Sequence, residues 1–171
     1  MLRCFFIPIV IMLAFAGFPS MSHEAENSNS MARYVLPSWG NGAPTIVISL
    51  PKGYERETKK PADFDLHYLN NKNLVLPGIL LYVGHHPNLF SSNISQHQQK
   101  KRSIAIAGHE EEWVEWTSEG KCFGEVLLSK LFPDNKSYGA LIVHISINAA
   151  TEKDLHEAEQ WFSTISLVPQ K

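Results

Sequence analysis

The stretch that decides the fold is 140-ALIVHISINAATEKDLHEAEQWFSTI-165. Its first half alternates: Leu141, Val143, Ile145 and Ile147 fall on one side of an extended chain, and Ile142, His144 and Ser146 on the other. That period of two belongs to a β-strand with a buried face. Its second half changes period. Thr151 suits an N-cap, Glu152 and Asp154 sit where the helix dipole favours negative charge, and Leu155, Ala158, Phe162 and Ile165 recur at helical spacing. Pro169 sets the outer limit of that helix.

Working outward, 45-TIVISL-50 is β-branched and apolar and ends in the turn chemistry of Pro51-Lys52-Gly53. Phe64, Leu66 and Tyr68 alternate with Asp65 and His67, marking a half-buried strand, and the nearly continuous apolar run Ile79 to Val83 suits a central one. Ile104 to Ile106, Glu112 to Thr117 and Cys122 to Leu131 fit three further extended segments, the last two a hairpin around Ser118-Glu119-Gly120. Between them, Glu55 to Ala62 reads as a charged loop or one helical turn, and residues 87 to 103 as a surface excursion with room for a short helix. The sum predicts an α+β fold: an antiparallel β-sheet of five to six strands packed by a C-terminal amphipathic helix. A single domain is expected over residues 44–171, preceded by a flexible segment over 23–43 that is rich in Ser, Asn, Gly and Pro.

The N-terminus carries an address. Arg3 precedes an apolar run from Cys4 to Phe18, too short for the roughly 20 residues of a membrane span, and a small-residue exit follows. Residues 1–22 are read as a signal peptide cleaved after Ser22, with Ala16 as the second choice and an uncleaved anchor as the alternative. The expected product is periplasmic or secreted, without a membrane span. It would keep 149 residues, with 14 basic against 17 acidic groups. That balance gives no footprint for nucleic acid, and Lys100-Lys101-Arg102 reads as a solvated loop. Cys4 leaves with the signal, so Cys122 would be the only thiol, with no internal disulfide, and is expected to be buried and inert.

Two end motifs, Ile46 to Gly53 with its Leu-Pro-x-Gly ending and Trp161-Phe162-Ser163-Thr164-Ile165-Ser166, resemble the exported PsbP-like family and its DcrB-like bacterial relatives. The resemblance extends over residues 44 to 167 in pattern but in specific residues only at those ends. It implies an antiparallel sheet with flanking helices and an accessory role, with no catalytic residue to carry over.

Reactive side chains are sparse in pattern. His85-His86 follows the central strand, but neighbouring imidazoles in a strand point to opposite faces, and no established metal-ligand spacing is present. A metal-binding protein or metal-dependent enzyme centred on His85, His86 and His109 is the alternative reading, against solvated or hydrogen-bonded histidines. His67, His109 and His144 could converge only if their strands adjoin. His109 with Glu110, Glu111 and Glu112 could form an acid/base cluster, though a charged strand edge that blocks edge-to-edge pairing fits better. No Gly-x-Ser-x-Gly elbow or glycine-rich phosphate loop occurs. The leading expectation is therefore a non-enzymatic accessory protein, without a cofactor, that binds a protein partner. Trp113 and Trp116 would be its anchors, if exposed, with Glu111, Glu112 and Glu115 as an acidic rim.

Overall fold

A computed structural model describes residues 30–40, 42–71, 76–132 and 134–169. The signal peptide expected over 1–22 lies outside the described residues. Strand is the dominant element, in two antiparallel sheets rather than the one expected.

The larger sheet has seven strands, in spatial order β3 (Tyr54–Lys59), β4 (Phe64–Asn71), β5 (Gly78–Gly84), β9 (Ile142–Ala149), β8 (Lys121–Leu128), β7 (His109–Ser118) and β6 (Lys100–Ile106). Two meanders, β3-β4-β5 and β6-β7-β8, are thus joined edge to edge through β9. The smaller sheet orders β1 (Met31–Leu36), β2 (Thr45–Pro51) and β10 (Ser166–Val168). The helix, α1 (Glu152–Trp161), begins at Thr151, whose hydroxyl accepts from the Asp154 amide as the N-cap reading requires. It tightens into a 3-10 turn at Phe162–Thr164.

One core lies between the sheets. Leu81, Val83, Val143, Ile145, Ile147 and Trp113 come from one face of the large sheet, and Ile46, Ile48 and Leu50 from β2. Leu155, Ala158, Phe162 and Ile165, the stripe read from the sequence, are all buried against them. Cys122 is buried, as expected.

Four expectations need correction. The lead-in over 23–43 contains β1, paired with β2 from Met31 against Pro51 to Leu36 against Ile46, so the fold starts before residue 44. The charged segment from Glu55 is strand β3, and Lys100-Lys101-Arg102 opens strand β6 instead of lying on a loop. A short tenth strand follows the helix. All four segments lie at sheet edges, where β3 and β6 each bury a single residue, Tyr54 and Ile106, and β1 only Leu36. Backbone pairing on one side holds such strands without an apolar pattern, so hydrophobic periodicity does not reveal them.

Candidate functional site

Among the described residues, neither α1 nor the smaller sheet packs on the second face of the large sheet. Leu66, Tyr68, Leu80, Phe123, Leu127 and Ile142 are half-buried there. The excursion between β5 and β6 returns over this face, tied down by Glu125. The carboxylate oxygens Oε2 and Oε1 accept the amides of Phe90 and Ser91 at 3.0 and 2.9 Å. His144 Nε2 lies 3.0 Å from Oε2. Gln99 closes the excursion by donating to the carbonyls of Ser91 and Ile94 at 2.8 and 2.7 Å. Burial pushes the Glu125 carboxyl up, but the bonds from His144 and Ser91 outweigh it and hold the group below its ordinary range. With 1 % of its surface exposed and both oxygens engaged, Glu125 is a clasp for the excursion rather than a base that could reach a substrate.

The excursion and the sheet enclose a groove of about 430 Å³. Phe90 and Ile94 form one wall, and Tyr68, Leu80, Trp116 and Phe123 the floor and opposite wall. Trp116 and Phe123 stack with ring centres 5.5 Å apart and planes 8° from parallel, across paired positions of β7 and β8. Besides the Tyr68 hydroxyl and the Trp116 indole N–H, the polar side chains are Asn70, Ser118, Ser146 and Asn148. A side chain at Gly78 would stand between the two asparagines, its Cβ 3.4 Å from Asn70 Oδ1 and 3.5 Å from Asn148 Nδ2. Glycine there leaves an acceptor and a donor facing the same space. Apolar walls with a few convergent polar groups are the usual make-up of a ligand site, and the volume lies in the usual range.

The residues expected to anchor a partner divide between interior and surface. Trp113 is fully buried in the core and donates its indole N–H to Glu115 Oε1 at 2.7 Å, so it is not available as an exposed anchor. Glu115, 8 % exposed, also accepts from Arg102 at 2.8 Å and lies 3.4 Å from His156 of α1. Burial pushes its carboxyl up, yet the Arg102 and Trp113 bonds bring it below its ordinary range. Arg102 bonds Glu159 of α1 as well, and the three side chains form a strut between sheet and helix. Glu112 is exposed and pairs with Lys101 at 2.9 Å, while Glu111 is half-buried. Lys101 and Arg102 thus pair with Glu112 and Glu115 across the β6-β7 hairpin, while Lys100 reaches Glu152 of α1. Trp116, 7 % exposed, alone of the five lines the groove.

His85 and His86 lie together, ring centres 6.3 Å apart, but His109 does not join them. His85 Nδ1 lies 3.1 Å from the Ala140 carbonyl oxygen and its ring packs edge-on against Trp39, while His86 is exposed. His109 stands on β7, with β9 and β8 between it and the strand that ends at His85, about 14 Å at the spacing of paired strands. His67 lies on β4, with three strands between it and the β7 of His109, and His144 faces the groove side of β9, so these two do not converge with His109. Among the described residues no three His, Cys, Asp or Glu side chains are grouped as metal ligands would be.

The Glu125 clasp escaped the sequence reading, although an acid inside the apolar strand 122-CFGEVLL-128 signals a buried charge that needs partners. No family model matches the chain, and no curated protein matches it.

Proposed function

We propose that the chain is an exported, non-enzymatic accessory protein of the periplasm or cell envelope. Its groove would take an apolar or aromatic side chain from an extended segment of a protein partner. The observation that carries this reading is the pairing of an aromatic wall, Trp116 on Phe123, with the two amides that flank Gly78. Side by side, a carbonyl acceptor and an amide donor match the two polar groups of a peptide unit, while the walls match the side chain it bears. Affiliation with the PsbP-like and DcrB-like proteins is part of the proposal. It is supported by the adjacency of the two end motifs: β2 pairs with β10, and the Ser49 amide donates to Thr164 Oγ1 at 2.9 Å.

Site-specific photo-crosslinking in intact cells tests the groove. A photoreactive residue at Ser118, on the groove rim, should trap one dominant protein, and Gly78→Val, which fills the space between the asparagines, should abolish the adduct. A probe at Lys153 on α1 should trap none. Equal adducts from both positions, or an adduct unaffected by Gly78→Val, would refute the reading. Export is tested separately by sequencing the N-terminus of the mature protein, where a start at His23 is expected and a retained Met1 would overturn it.

A further inference from the structure

The smaller sheet has an open edge, because β1 pairs with β2 on one side only. The Lys52 amide donates to the Ser30 carbonyl at 2.9 Å, which fixes the alternation along the strand. Ser30, Ala32, Tyr34 and Leu36 turn their backbone groups to β2, and Met31, Arg33 and Val35 turn theirs away. The Val35 carbonyl accepts from the Arg56 guanidinium of β3. The N–H and C=O of Met31 and Arg33 and the N–H of Val35 have no partner among the described residues. Proteins usually blunt such a row, since it is a template for another strand.

The side chains along this edge say what kind of strand. Ile46, Ile48 and Leu50 face the core, so Thr45, Val47 and Ser49 and their partners in register lie on the outer face. Four large apolar side chains are exposed among the described residues, and three of them, Met31, Val35 and Val168, are on that face. Met31 and Val35, 45 and 50 % exposed, stand on either side of Arg33. Lys52 follows β2 at the Met31 end, and Arg56 flanks the Val35 end. None of these three cations is paired with an acid among the described residues. The acids beside Arg56 in sequence, Glu55 and Glu57, point to the opposite side of β3, which they share with the groove residues Asn70 and Tyr68.

We propose that β1 takes up an extended segment of a partner protein as a further strand, with an acidic residue opposite Arg33 and apolar residues opposite Met31 and Val35. This surface is separate from the groove and does not depend on it. Backbone pairing supplies the attachment, and the alternate side chains supply the selectivity. A second copy of this chain is a poorer occupant. Its β1, paired in the symmetric register, would set Arg33 against Arg33, and like charges directly opposite are destabilising. An acid in that place turns the repulsion into a cross-strand pair.

The test is an NMR titration of the full mature chain with the peptide acetyl-TVTETVT-amide. Saturable shifts are expected at the amides of Met31, Arg33 and Val35, larger than those at Ala32 and Tyr34, whose N–H groups already serve β2. Acetyl-TVTKTVT-amide should bind about tenfold more weakly. N-methylation of the valines and the glutamate, which removes the donors that face β1, should abolish binding. Arg33→Glu, at an exposed position, should keep the melting curve and reverse the preference between the two peptides. No saturable shift with the glutamate peptide would overturn the proposal, as would equal binding of the lysine or N-methylated peptide. So would shifts at these amides that grow with protein concentration alone, the mark of self-pairing, or that phosphatidylglycerol vesicles produce and the peptide does not.

Discussion

The Trp113 indole occupies the space above Gly124 that a side chain would fill: a Cβ built there overlaps the ring and stands 3.1 Å from Leu155 Cδ1. Gly124 has no positive φ, so its role is room and not backbone freedom. Gly124→Ala should therefore destabilise the fold by about 1–3 kcal/mol, the usual cost of overpacking. Gly78→Ala makes only ordinary contacts and should stay within about 0.5 kcal/mol of wild type. Urea unfolding midpoints compare the two, and equal midpoints would sink the packing argument.

Glu115 accepts from both Trp113 and Arg102, so Glu115→Ala leaves a buried indole N–H unpaired and cuts the strut to α1. A loss of about 2–3 kcal/mol is expected, as for hydrogen bonds to a charged group. The same substitution would cost almost nothing if Glu115 belonged to a solvated acidic rim, and chemical denaturation decides between these.

Glu125→Ala should release the excursion. Hydrogen exchange at the Phe90 and Ser91 amides, whose acceptors are the Glu125 oxygens, should speed up well before exchange in β8 or β9 does. Unchanged protection at these two amides would show that the excursion is held by something else.

Stability should fall in acid in two stages. His67 is fully buried, and its Nε2 lies 2.8 Å from the Pro37 carbonyl, an acceptor only, so Nε2 carries the proton and Nδ1 accepts from Thr58. Burial lowers its pKa below the ordinary 6.5, so the unfolded chain takes up the proton first. Its contribution is full above 6.5 and is lost as pH falls through the lower folded value. Glu115 and Glu125, lowered from 4.5, contribute fully above that pH and lose their share below it. His67→Gln should flatten the first stage of a denaturation-midpoint profile and leave the second.

Phe162 closes the helix with no exposed surface. Phe162→Ala should cost about 3–5 kcal/mol, and an unaltered thermal melt would contradict the packing of helix on sheet.

The buried half of the fold was legible because burial leaves a period in the sequence. The stripe of Leu155, Ala158, Phe162 and Ile165 and the alternation of Leu141 to Ile147 both mark true core faces. Edge strands β1, β3 and β6 were not, since each buries a single residue and so carries no apolar alternation. Site residues fared worse for a related reason. Whether Trp113 faces core or solvent depends on which side of β7 the helix covers, and the strand's aromatic residues fall on both sides. The partners of Glu125, the amides of Phe90 and Ser91 and the ring of His144, come from chain segments distant in sequence, which no local pattern joins.

The placement of β9 between the two meanders has a kinetic consequence. β3 to β5 and β6 to β8 can each zip from neighbouring strands, but the seven-stranded sheet stays open, with β5 and β8 as raw edges, until residues 142–149 have been made and inserted. Pairings such as Ile79 with Ile147 close long loops and come late in folding. A growing chain thus has its final architecture withheld until its central strand arrives. Pulse-labelled hydrogen exchange during refolding should find the β9 amides protected last.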